Sequence, residues 1–195
     1  MNALAGFLKR QAGLIVRDLR GRFGHLAKDE RGVSAIEFAM LLPLMLSLYL
    51  GAVEISQGIG ADRKVTLTAR TVADLVSQVT SVNNNDMTNS LNAATAVMAP
   101  FPTGNLKVVV SSVTIDAQGK ATVAWSDTLN GTAKSKGATV TLPSALAIPN
   151  SSLIWSEVQY TYKPVIGHVV TGTLTLKDQI YMRPRMSDTV ARTTS

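Results

Sequence analysis

The segment that most limits what this chain can fold into is residues 33–53, reading VSAIEFAMLLPLMLSLYLGAV: 21 residues with one ionisable side chain, Glu37. Wound as a helix rising about 1.5 Å per residue, it covers the roughly 30 Å of a bilayer's hydrocarbon layer. A core helix of a soluble protein needs polar side chains on one face every turn or so. Between Phe38 and Tyr49, however, only Ser47 and Tyr49 carry a hydroxyl. A cleaved secretory signal is the other competitor, with small residues at Gly51 and Ala52. Against it, a polar-rich stretch of 32 residues precedes the run, which is longer than the usual apolar core of a signal. The segment therefore reads as a membrane span, with the lipid bilayer as its first partner.

Charge is placed to match. The chain of 195 residues has 19 Lys/Arg against 13 Asp/Glu, net +6, and residues 1–32 hold seven of those bases against three acids. A basic flank beside an apolar run argues against a nucleic-acid partner, which calls for a basic patch on folded structure with aromatics interleaved. Within 20 residues of the span, Arg17, Arg20, Arg22, Lys28 and Arg31 precede it while Arg63, Lys64 and Arg70 follow. That bias keeps the N-terminus in the cytoplasm. Leu8, Ala12, Ile15, Leu19, Phe23 and Leu26 recur at steps of three or four, as an amphipathic helix on an anionic leaflet would require; a disordered basic tail is the alternative. The absence of cysteine excludes a disulfide scaffold and a cysteine-based zinc or redox centre.

The most specific spacing lies at the edge of the span. Asp29-Glu30-Arg31-Gly32 is followed by Val33-Ser34-Ala35-Ile36-Glu37-Phe38. This resembles the processing site of type IV prepilins and pseudopilins, where a membrane aspartyl peptidase cuts after the glycine and the glutamate becomes the fifth mature residue. A glycine suits such a site because, without a Cβ, it readily takes the extended geometry a protease needs. Pro43 stands six residues after Glu37, and Gly51-Ala52-Val53-Glu54 puts a second acid eleven after the proline. Together these are similar to the N-terminus of the TadE-like proteins of tight-adherence (Flp, type IVb) pilus systems. Glu157-Val158-Gln159-Tyr160-Thr161-Tyr162-Lys163-Pro164 and Arg183-Pro184-Arg185 resemble later, less specific features of the same family. The resemblance implies a minor pilin or pseudopilin in a bacterial inner membrane, single-pass, with its C-terminal module extracytoplasmic. It implies as partners a prepilin peptidase, other pilins and the Tad secretion machinery, with Gly32 and Val33 as the processing site.

Residue chemistry adds roles. A carboxylate at the centre of a membrane costs about 2.5–3.5 kcal/mol on insertion scales, and less near the interface, so Glu37 calls for a partner. Cleavage after Gly32 would free the Val33 amine at similar depth, and a neighbouring subunit's amine could then set the stagger by pairing with Glu37; snorkelling or protonation without a partner is the alternative. Pro43 removes a hydrogen bond to Ala39 and should kink the helix. Glu54 ends the apolar run as a solvated membrane-boundary residue, with a polar partner contact as the alternative.

Beyond the membrane, Val65, Ala69, Val72, Val76 and Val79 follow helical spacing, so the span should continue as a stem, with Gly58 and Gly60 as a weak point or hinge. The stripe is too short for a coiled coil and is better matched to the chain's own sheet. Asp86 is a candidate cap for a short helix through Met98 that uses Met87, Leu91, Ala94 and Met98. Residues 106–116 and 121–129 form a hairpin about Gln118-Gly119-Lys120, residues 130–147 a long surface loop, and alternation at Val158, Tyr160, Tyr162 and at Leu174, Leu176, Ile180, Met182 marks half-buried antiparallel strands. The fold class is α+β: a basic leader (1–32), a transmembrane helix (33–53), a stem helix (54–82) and a small antiparallel β-sheet module (83–195).

Catalytic signals are sparse. His25 and His168 have no metal-ligand spacing around them, there is no Gly-x-Ser-x-Gly elbow, and Asp116, Asp127 and Asp178 are too dispersed for a calcium loop. No enzyme activity, cofactor or metal is expected. Trp125, Trp155, Tyr160 and Tyr162 suit core packing better than a sugar-binding face. Two further readings remain: an uncleaved membrane-anchored assembly scaffold, and an anchored envelope enzyme or glycan binder requiring a concave pocket of converging polar groups.

Overall fold

The computed structural model describes residues 30–164 and 172–193; the basic segment with His25, and His168, lie outside them. The chain divides into two compact units, Met1–Leu50 and Gly51–Ser195. Helix α1, Glu30–Ser77, contributes to both. In the first unit its described side chains are exposed, Leu50 alone being half-buried.

The second unit is the expected α+β module. After α1 come β1 (Ser81–Val82), α2 (Asn84–Met98), β2 (Leu106–Ile115), β3 (Ala121–Leu129), β4 (Thr139–Val140), β5 (Ser151–Tyr162), β6 (Leu174–Met182) and β7 (Ala191–Arg192). Five strands form an antiparallel sheet in the order β4-β3-β2-β5-β6, while β1 and β7 pair in parallel.

The stem stripe is the centre of this module's core. Val65, Ala69, Val72 and Val76 are fully buried together with Ala61 and Ala73, and these small side chains let α1 pack closely on the sheet. Val79 lies past the helix end and is exposed. Helix α2 buries Met87, Leu91, Ala94 and Met98, as its spacing requires. Its N-cap is Asn83 rather than Asp86: the Asn83 side chain accepts from the Asp86 N–H (2.9 Å) while the Asp86 carboxylate accepts from the Asn83 N–H (3.2 Å), a reciprocal capping box.

The hairpin turn forms where Asp116 Oδ1 accepts the N–H groups of Gln118 (2.9 Å) and Lys120 (2.8 Å), with Gly119 supplying φ +80°. A bulge between β2 and β3 pairs Ser112 with Trp125 but Val113 with Val123, leaving Ala124 as the extra residue. It turns Trp125 toward the helices and Ala121 toward the opposite face. That opposite face carries a second cluster of Val113, Ile115, Ala121, Leu153 and Trp155. Val140, Leu142 and Leu146 pack against it. Residues 130–147 are thus more than a surface loop: they contain β4 and a 3-10 turn at Ser144–Leu146, and they cover apolar surface that the sheet would otherwise expose.

The chain's last stretch straps the module. Arg185 N–H donates to Ser77 O (2.8 Å) at the end of α1, and its guanidinium meets Asp74. Trp125 Nε1 donates to Val190 O (2.7 Å), and Arg192 reaches Asp127 (2.8 Å) and Asn84 (2.7 Å).

Candidate processing and assembly segment

Gly32 and Val33 sit in the first turn of α1, with open space around Gly32 and Val33 56% exposed. The extended geometry expected of a cleavage site is not what Gly32 holds here. A helix's first turn lacks half of its hydrogen-bonded neighbours, and glycine lowers the cost of unwinding it by about 1 kcal/mol relative to alanine.

From Val33 to Val53 the helix is apolar on all sides, Glu37 excepted. Phe38, Met40, Leu41, Leu44, Met45 and Leu48 are all exposed, and the most apolar window has mean hydropathy 1.9 with none of it buried. Such a surface needs lipid or other protein to cover it, and α1 is long and apolar enough to cross a membrane. Glu37 is exposed within this stretch. The helix stays continuous through Pro43, whose carbonyl accepts from Ser47 Oγ (2.8 Å).

Glu54 is less exposed than a solvated boundary residue would be. It is half-buried rather than solvated, with one carboxylate oxygen shielded from water. Burial, and secondly the Glu54 charge, push the Tyr162 hydroxyl above its usual pKa of 10.0. Burial and Tyr162 raise Tyr160 in the same way. Tyr162, Tyr160 and Phe101 form a ring cluster, with Phe101 6.2 Å from Tyr162 and 6.4 Å from Tyr160 by centroids. The expected hinge is absent: helix α1 is unbroken through Gly58 and Gly60. A Cβ at either would stand 3.8 Å from the Tyr162 or Phe101 ring, an ordinary contact, so glycine is compatible with this packing but not required by it.

The four aromatics do not make one binding face. Trp125, Tyr160 and Tyr162 are buried on the helix side of the sheet, while Trp155 belongs to the opposite cluster, stacked on Tyr181 at 5.4 Å with Lys134 Nζ 4.1 Å from its ring centre. The aspartates have local duties: Asp116 holds the hairpin turn, Asp127 pairs with Arg192, and Asp178 accepts from Thr66.

Sequence reasoning missed an open polar groove of about 840 Å³ on the face opposite the helices, lined in part by Lys107, Lys134, Glu157, Gln159 and Lys177. Register puts Lys107, Gln159 and Lys177 in one row across β2, β5 and β6, while Lys134 pairs with Glu157 at 2.8 Å. Alternation within each strand was readable; the order of strands that brings the lysines together was not.

A family model described as TadE-like protein matches residues 32–74, from the candidate scissile glycine to just short of the end of α1. No curated protein and no solved structure matches the chain.

Proposed function

We propose that this TadE-like chain is a minor pilin or pseudopilin of a tight-adherence (Flp, type IVb) pilus, held in the bacterial inner membrane by residues 33–53 and cut after Gly32 by a prepilin peptidase. The observation that carries the reading is the coincidence of the family match with the all-round apolar half of α1, which bears Glu37 as its one acid. The N-terminus lies in the cytoplasm and the Gly51–Ser195 module outside it, following the basic flank. Its other partners are pilins and the Tad secretion machinery.

In this reading the chemistry is assembly. Lipid covers the apolar surface before assembly and neighbouring helices cover it afterwards. Glu37 lies four residues inside the new N-terminus, close enough in depth for an amine from an adjacent subunit to neutralise it and fix the axial offset. Intact mass and N-terminal sequencing of the mature protein test the cut: the expected species is residues 33–195, and full-length chain in cells that hold the peptidase would refute it. Glu37→Leu should insert and be processed yet fail to co-purify with pilins, and normal co-purification would discard the pairing. A bulky residue at Gly32 should block processing and leave the module folded.

An uncleaved membrane-anchored scaffold is the second reading, favoured by the helical state of Gly32 inside the first turn of α1. The same mass measurement separates the two.

A further inference from the structure

We propose that the outer edge of β6 is a docking site for an extended, acidic strand of a partner pilin, which joins the sheet as a sixth strand. This rests on the pilus-assembly reading above and names where one contact is made.

The two edges of the sheet differ. At the β4 edge the strand is two residues long, and the chain just before it closes over β3: Val123 N–H donates to Ala138 O (3.0 Å), Gly137 N–H to Val123 O (2.7 Å) and Lys134 N–H to Ser126 Oγ (3.1 Å). At the other edge β6 runs for nine residues in unbroken register with β5, from Ile154 opposite Met182 to Tyr162 opposite Leu174. It contains neither a proline nor a bulge, and no described residue pairs with its far side. Long, regular, uncovered edges are the templates that strand addition uses.

Backbone and side chains both show an unfinished edge. Gln179 N–H donates to Asp178 Oδ1 (2.7 Å), a side-chain acceptor that an amide turned toward β5 would not reach. Because backbone groups alternate along a strand, Thr175, Lys177 and Tyr181 share that outward orientation. On the helix side of the sheet Leu176, Ile180 and Met182 are only half-buried and Leu174 is 45% exposed, so the core thins out at β6 and an added apolar-polar strand would complete it.

Charge selects the occupant. Glu157 is neutralised by Lys134, and Asp178 is engaged by Thr66 and by Gln179 N–H, whereas Lys107 and Lys177 have no ion pair among the described residues. A strand laid against β6 with an acid opposite Lys177 meets a lysine that has no ion pair among the described residues, and Lys107 lies in the same row. A second copy of this chain fits poorly: antiparallel self-pairing along all nine residues sets Asp178 against Asp178, and like charges directly opposite are destabilising.

The chain has no cysteine, so a single introduced one is a unique attachment point. In the full chain in membranes of cells that also make tight-adherence pilins, Gln179→Cys would carry a benzophenone label, with Thr139→Cys on β4 as the opposite-edge control and Leu44→Cys on the exposed half of α1 as a second. All three positions are exposed, so the labels do not enter the core. On irradiation the Gln179 label should join an acidic extended segment of another pilin, identified by sequencing the joined peptide. The Thr139 label should not, and adding Lys177→Glu should cut the Gln179 yield at least fivefold. Joining to a second copy of this chain, joining to a segment without acids, or indifference to Lys177→Glu overturns the inference. If Leu44 joins to pilins and Gln179 does not, the strand site alone falls; if neither joins, the assembly reading falls with it.

Discussion

Between residues 33 and 59, α1 exposes Phe38, Met40, Leu44, Leu48 and Ile55 on every side, whereas its later part buries Ala61, Val65, Thr68, Ala69, Val72 and Val76 along one stripe. Both stretches are rich in apolar residues. They differ in side-chain size and in where the charges stand: the first has large, flexible side chains all round and only two acids, Glu37 and Glu54, the second small or β-branched side chains on one face and Asp62, Arg63, Lys64, Arg70 and Asp74 around the remainder. Apolar content therefore does not separate a membrane span from a core helix. The angular spread of large side chains does, because lipid wets every face while a sheet covers only one.

The sharpest way to break that comparison is to place one charge in each half. Val72→Asp sets an unpaired carboxylate in a fully buried site and should cost at least about 3 kcal/mol, abolishing the cooperative melt of the Gly51–Ser195 module. Leu44→Asp should leave that melt unchanged and instead impair membrane insertion by about 2.5–3.5 kcal/mol, read as loss from the membrane fraction. Equal melting behaviour in the two variants would mean that the halves do not differ as described.

Next in size is the strap that closes over the buried half. Arg192→Ala removes contacts to Asp127, Asn84 and Val82 O and should lower stability by about 1.5–3 kcal/mol, seen as a fall of several degrees in Tm. Asn83→Ala should cost about 1 kcal/mol through loss of the capping box, measured by denaturant melts. The smallest effect concerns pH. Tyr160 and Tyr162 have hydroxyls raised above 10.0 in the folded chain, so the fold holds their protons more tightly than the unfolded chain does. Their contribution is complete below pH 10 and is lost as pH rises beyond it; Tyr162→Phe should flatten the alkaline arm of a Tm-against-pH curve.

What was readable in the sequence was local. Spacing alone identified the four buried residues of α2, the hairpin about Gly119 and the stripe of α1, because each depends on neighbours a few positions apart. The cap lies at Asn83 and not at the Asp86 that the sequence reading names, because the box uses an acceptor from each. The parallel β1–β7 pair, the covering role of residues 130–147 and the Lys107–Gln159–Lys177 row depend on partners far along the chain, which no local period encodes. The same limit applies to the candidate site. Gly32, Glu37 and Pro43 stand out by spacing, but the half-burial of Glu54, and its charge acting on Tyr162 more than a hundred residues later, do not.

The strap also bears on how the module would come apart. Since Trp125 donates to the carbonyl of Val190, and Arg192 ties Asp127 to the start of α2, residues 190–192 clamp β3 and α2 at once. Losing this short piece would therefore loosen two layers together, so a chain cut ahead of Val190 should be digested faster by added protease than the intact one.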